Sequence, residues 1–251
     1  MNAAEYKFVS RCDGLEDGYY LHDAGKDTDC IVWLHGHNAN GGQPFFQKNI
    51  NEKIEPVVQK YNVSLFSPHL RGNVWMSEAA VADLHDLLLD LRRQYSYSRF
   101  FFVCGSMGGT GGLIFATQYP ELVDGLGVLG GATDLMRYRD YLLAYHRETG
   151  RDIFREIAQA ITDNHTPETF EKYCVSRHYE KLTMPLYYCH GDGDYVMTIS
   201  EMYDLQEKMK NFPNAEFRSV PGPHNAPMDY IPEVFEAIYT GASRQEKQNR
   251  I

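Results

Sequence analysis

The chain has 251 residues, 43% apolar, 13% aromatic and 23% charged, with a formal net charge of −10. That is enough apolar material for one sizeable core, read as a single domain over 1–251. The acidic balance excludes general nucleic-acid binding, which needs basic patches to neutralise phosphates, and disfavours anionic membrane surfaces. No run approaches the roughly 18 consecutive apolar residues of a membrane span. The N-terminus, MNAAEYKFVSRCDG, lacks the basic-then-apolar plan of a signal peptide. The five cysteines are an odd number, and several sit inside apolar runs, so free thiols in a reducing cytoplasm are expected. A secreted chain already trimmed of its leader would look the same.

Taken in order, turn signals at Asp13-Gly14 and Asp17-Gly18 divide 6–22 into an antiparallel edge hairpin. Residues 30–34 (CIVWL) form a buried strand that breaks at His35-Gly36. A helix follows over 43–61, then a strand over 63–67 stopped by Pro68. Over 77–95, Ala80, Leu84, Leu87, Leu88 and Leu91 share one helical face. The strand 100–104 (FFFVC) runs straight into Gly105-Ser106, and a helix continues over 110–118. Further strands are expected at 125–129, 186–189 and 215–220, with helices at 202–210 and 231–239. The polar stretch 243–251 reads as a frayed tail. Strands alternating with helices imply βαβ units in a mainly parallel sheet, and near-continuous apolar strands imply helices on both faces.

One interval breaks the rhythm. Residues 135–182 are too many for a crossover helix and carry Tyr138, Tyr141, Tyr145, Phe154, Phe170 and Tyr173. They read as a helical cap over the site, the alternative being two surface helices with ordinary packing aromatics.

The segment Val103-Cys104-Gly105-Ser106-Met107-Gly108-Gly109 joins an apolar strand to a helix. A serine at such a junction sits on a sharp turn with its hydroxyl above the sheet. Small residues are needed two places to either side, where strand and helix pack closely. Cys104 and Gly108 hold those places, so the G-x-S-x-G pattern has Cys for its first Gly. A hydroxyl is a poor nucleophile without a base, and the helix N-terminus offers backbone N–H groups to a developing oxyanion. A phosphate-binding loop is the competing reading, but no Lys follows as a P-loop requires.

With these residues the chain resembles the α/β-hydrolase superfamily, in particular its esterase and dienelactone-hydrolase-like branches, whose elbows often read S-M-G-G. The likeness spans about 28–240 and rests on four landmarks in order: His35-Gly36, the Ser106 elbow, His190-Gly191 with Asp194 and Val196, and His224. It implies an α/β-hydrolase fold and a triad of Ser106, Asp194 and His224 in the order Ser, acid, His. Asp194 is the acid by the H-G-x-x-D pattern, with Asp192 and then Asp134 as alternatives. His224 lies in Pro221-Gly222-Pro223-His224, a loop suited to delivering a base. The oxyanion hole falls to the backbone N–H groups of His37 and Met107. His35 and His37 could also be read as an H-x-H metal pair, but no third ligand has matching spacing, and neither metal nor cofactor is expected.

Three residues are assigned to substrate binding: His35, and Arg71 and Trp75 in the loop after a central strand. Arg71 paired to a carboxylate and Trp75 in the core is an equal reading. The leading function is a carboxylesterase for a small-molecule ester with a short acyl group and a carbohydrate or phenolic alcohol. The alternatives are a serine peptidase or acylaminoacyl hydrolase, whose relatives carry a further large domain, and a non-catalytic small-molecule receptor on the same scaffold.

Overall fold

The computed structural model describes residues 1–249. Its strands are β1 (Ala4–Val9), β2 (Glu16–His22), β3 (Cys30–Val32), β4 (Ser64–Pro68), β5 (Phe100–Gly105), β6 (Gly125–Leu129), β7 (Leu186–Gly191) and β8 (Ala215–Val220). Its helices are α1 (Gln43–Phe46), α2 (Lys48–Tyr61), α3 (Glu78–Tyr95), α4 (Met107–Gln118), α5 (Leu135–Thr149), α6 (Asp152–Asn164), α7 (Pro167–Lys172), α8 (Ser200–Lys208) and α9 (Ile231–Asn249). The strands form one sheet in the order β1-β2-β4-β3-β5-β6-β7-β8. The pairs β1–β2 and β2–β4 are antiparallel, and the others are parallel.

The central strands read as unbroken apolar runs because helices cover both faces of the sheet. On one face, Ile54 and Val57 of α2 and Val234, Phe235 and Ile238 of α9 pack on Ile31, Phe101 and Val103. On the other, Leu84 and Leu88 of α3 and Leu113, Ile114 and Phe115 of α4 pack on Val32, Phe102 and Cys104. The edge strand β8 buries only Val220 and carries Glu216 and Arg218, charges that discourage further pairing along an open edge.

The helix expected over 43–61 is two helices. Gln47 takes an extended conformation with ψ 105° between α1 and α2. The short turn of α1 keeps Gln43 against the end of β3, and the break lets α2 leave in a different direction. The tail expected to fray from 243 instead continues α9 through Asn249. Ala242 extends the buried stripe, the Gln245 side chain donates to the Thr183 carbonyl and Arg99 pairs with Glu246. Arg250 and Ile251 lie outside the described residues. Between β6 and β7, residues 135–182 hold α5, α6, α7 and two single 3-10 turns. All five thiols are free, with Cys12 exposed and the other four buried. No helix among the described residues is long and apolar enough to cross a membrane.

Candidate active site

The loops leaving the C-terminal ends of β3, β5, β7 and β8 converge. This is the edge of an open α/β sheet at which ligands bind. At the end of β5, Ser106 has φ 58° and ψ −124°, a conformation that a residue with a β carbon holds only when its surroundings force it. The forcing contacts are steric. A β carbon at Gly108 would lie 1.9 Å from the Leu34 carbonyl oxygen, and one at Gly109 would lie 2.2 Å from that of Gly130. Only glycines let α4 approach the ends of β3 and β6 so closely. Cys104 faces Gly112, where an added β carbon would lie 3.3 Å from its sulfur. The glycine missing from the usual elbow pattern is thus offset by one a turn further along α4.

Ser106, His224 and Asp194 form one hydrogen-bonded chain. His224 Nδ1–H donates to Asp194 Oδ2 at 2.6 Å, which leaves Nε2 to accept the Ser106 hydroxyl at 2.9 Å. The Asp194 side chain is 1% exposed. It also accepts the backbone N–H groups of Val196 and Met197 at 2.8 and 2.9 Å. Buried His190 places Nε2 3.3 Å from the same Oδ2 and 2.8 Å from the Met197 carbonyl. Burial alone would raise the Asp194 pKa. The hydrogen bonds from His190, His224 and Met197 outweigh it and hold the carboxyl well below the usual range.

The other two acids have different partners. Asp192 accepts the Gly222 N–H at 2.9 Å and so ties the β7 loop to the loop carrying His224. Asp134 caps α5 through the N–H groups of Met136 and Arg137.

The loop after β3 brings Gly36 beside the elbow, where a β carbon would lie 3.9 Å from Ser106 Cβ. Gln43 Oε1 accepts from Gly36 N at 3.1 Å and from Trp33 Nε1 at 3.1 Å. Asn73 Oδ1 accepts from Asn38 N at 2.7 Å, and Asn73 Nδ2 donates to Asn38 Oδ1 at 2.8 Å. Between these anchors, the His37 N–H has no protein acceptor among the described residues, nor has that of Met107 at the start of α4. Burial, and secondarily His35, lower the pKa of the His37 ring, which keeps it neutral.

The three residues assigned to substrate binding are used otherwise. His35 is buried, with Nδ1 2.8 Å from the Gly36 carbonyl and Nε2 2.7 Å from that of His69, so it links the loops after β3 and β4. Arg71 turns away from the cleft. Its Nε donates to Asp83 at 2.7 Å and its Nη2 to Asp13 at 3.0 Å, which occupies the guanidinium. Trp75 is 1% exposed and packs between His37 and Tyr138, with ring centroids 5.9 and 5.5 Å away.

Beside Ser106 and His224 lies a cleft of about 280 Å³, lined by His37, Asn38, Gln43, Gln47, Asn49 and Asn225, with Trp33, Ile50 and Met228 among its apolar surfaces. The sequence reading missed Gln43 and the support that His190 gives Asp194. His190 belongs to the His190-Gly191 motif that precedes Asp194, whereas a glutamine seven residues past Gly36 carries no local signal.

No protein-family model and no curated protein matches the chain by sequence. Solved structures match its fold. An esterase from Pyrococcus furiosus superposes with TM-score 0.72 over 96% of this chain and 91% of its own, at 16% identity. The fluorophosphonate-binding serine hydrolase F of Staphylococcus aureus gives 0.72 over 96% and 98%, at 14% identity. A ferulic acid esterase gives 0.64 over 96% and 98%, at 11% identity. The chain has the α/β-hydrolase fold.

Proposed function

We propose that the protein is a serine carboxylic-ester hydrolase that works through an acyl-enzyme on esters of short acyl groups. The observation carrying this reading is the chain Ser106 Oγ, His224, Asp194, with links of 2.9 and 2.6 Å. In this reading His224 takes the Ser106 proton as the hydroxyl attacks the ester carbonyl. The N–H groups of His37 and Met107 receive the oxyanion. His224 then gives the proton to the departing alcohol, and water cleaves the acyl-enzyme by the same steps. Asp194 holds the ring and balances its positive charge.

The acyl group is assigned to the side of Met107 away from His224, where the space is a void of roughly 20 Å³ behind Met107 and Gly108, lined also by Leu34, His35, Leu70 and Met76; it does not reach Ser106 itself, and its size suits no more than a methyl group. The helices α5–α7 serve in this reading as a cap. Tyr141 donates to the Tyr195 carbonyl at 2.6 Å, beside Asp194, and Tyr138 packs on Trp75. Five free thiols support a reducing compartment such as the cytoplasm. The test is a series of p-nitrophenyl esters. Acetate should exceed octanoate in kcat/KM by about tenfold or more, since a longer chain can be seated only by displacing packed side chains, at about 1–3 kcal/mol. A preference for eight carbons would contradict the short-acyl assignment.

A further inference from the structure

On the ester-hydrolase reading, we infer that the alcohol half of the substrate is a neutral polyhydroxyl group of monosaccharide size, held by the carboxamides of the cleft beside His224. The proton leaving His224 Nε2 must reach the departing oxygen, so the alcohol lies on the His224 side of Ser106. The 280 Å³ cleft is on that side, with His224 and Asn225 in one wall and the loop from Gly36 to Asn49 in the other. Its size is near the low end of small-ligand sites, about 300 Å³, which suits one ring rather than a long chain.

The lining selects the chemistry. Asn38, Gln43, Gln47, Asn49 and Asn225 contribute to it, and no Asp, Glu, Lys or Arg does. A carboxamide offers both a donor and an acceptor without charge, the complement of a hydroxyl that also does both. A phosphate or carboxylate would call for Arg or Lys. A phenol, with one oxygen, would leave most of the carboxamides without a partner, while the apolar surfaces of Trp33, Ile50 and Met228 can take the C–H face of a sugar ring. Gln43 apart, these groups are also available. Gln43 is committed through both ends, with Oε1 on Gly36 and Trp33 and Nε2 donating to Gln47 Oε1 at 3.0 Å. That contact fixes the Gln47 carboxamide so that its Nε2 is free. Among the described residues, Gln47 Nε2, Asn38 Nδ2 and the side chains of Asn49 and Asn225 have no partner. The break at Gln47 between α1 and α2 is what brings Gln47 and Asn49 to the rim of the cleft.

The experiment compares two substrates with the same acyl group, glucose 6-acetate and ethyl acetate, in the wild type and in a Gln47→Leu/Asn49→Leu double variant. The ratio of kcat/KM, sugar ester to ethyl ester, should fall roughly 5- to 100-fold, mostly through KM, the loss expected for two hydrogen bonds between neutral groups. Lys48→Ala, between the two but paired with Glu52 outside the cleft, should leave the ratio unchanged. Glycerol monoacetate, run alongside, separates a ring from an acyclic polyol: a double-variant effect confined to glycerol overturns the monosaccharide assignment. A ratio within twofold of wild type in the double variant overturns the whole inference. Ligand-observed NMR of methyl glucoside with Ser106→Ala reads the cleft without chemistry, and the signal should vanish when Gln47→Leu/Asn49→Leu is added. If a fluorophosphonate labels Ser106 and ethyl acetate is cleaved while the ratio stays put, only the inference fails. If neither labelling nor cleavage occurs, the hydrolase reading fails and takes the inference with it.

Discussion

Two loops leave the strands on either side of β3, at the same edge of the sheet, and end differently. The β5 loop presents Ser106 to the cleft, while the β4 loop turns Arg71 onto Asp13 and Asp83 and Trp75 into the core. Both contain left-handed residues. At the elbow there is one, Ser106, enforced by glycines on either side of a close contact. In the β4 loop there are four non-glycine positions, Leu70, Arg71, Trp75 and Met76, with φ between 45° and 62°. A strand-end position fixes where a backbone goes, but a run of left-handed residues decides which way its side chains face. Short-range steric demands made the first loop readable from its sequence. The second depends on carboxylates 12 and 58 residues away from Arg71.

That contrast can be broken at several points. The largest effect belongs to Asp194→Asn, which should lower kcat by about 10³- to 10⁴-fold, because an amide favours the wrong ring tautomer. Asp192→Asn, which only loosens the tie to Gly222, should cost less than about tenfold; steady-state kinetics on one ester compares them. Asp194 also carries a sign for stability. Its folded pKa lies below the unfolded value of about 3.9, so its contribution is present above that pH and is lost as pH falls through and below it. Urea midpoints between pH 6 and 3 should therefore fall less steeply in Asp194→Asn.

Next in size is Gly108→Ala. The added carbon meets the Leu34 backbone, so the cost should be about 3 kcal/mol or more in thermal or urea unfolding. Gly111→Ala, whose new carbon would meet only side chains at 3.5 Å, should be neutral or stabilising. Arg71→Met follows, at about 2–4 kcal/mol, because it leaves Asp83 buried without its guanidinium. Its KM for simple esters should stay within about twofold; a large rise in KM with unchanged stability would return Arg71 to the cleft. Smallest is Tyr141→Phe, which deletes one hydrogen bond to the Tyr195 carbonyl and should cost about 1 kcal/mol.

Much of the architecture was legible because it is periodic. Buried runs such as FFFVC and CIVWL and the Leu84–Leu88–Leu91 stripe give strand, helix and alternation directly. Ser106, Asp194 and His224 were legible from loops at strand ends in chain order, and they lie in one hydrogen-bonded chain. Four features were not legible. The break at Gln47 serves a contact between Gln43 and the end of β3. The anchoring of α9 past Ser243 depends on Thr183 and Arg99. His190 contacts Asp194 only once the β7 loop has closed. The inward turn of Trp75 was one of two equal readings of the sequence, and what decides between them is a backbone conformation that no side-chain pattern announces.

The most direct test is the reactivity of one hydroxyl. Intact protein incubated with a fluorophosphonate, digested and mapped by mass spectrometry should carry the adduct on Ser106. Ser106→Ala should carry none, and His224→Ala should react far more slowly. Folded wild-type protein that stays unlabelled, or that is labelled at another serine, would contradict the account.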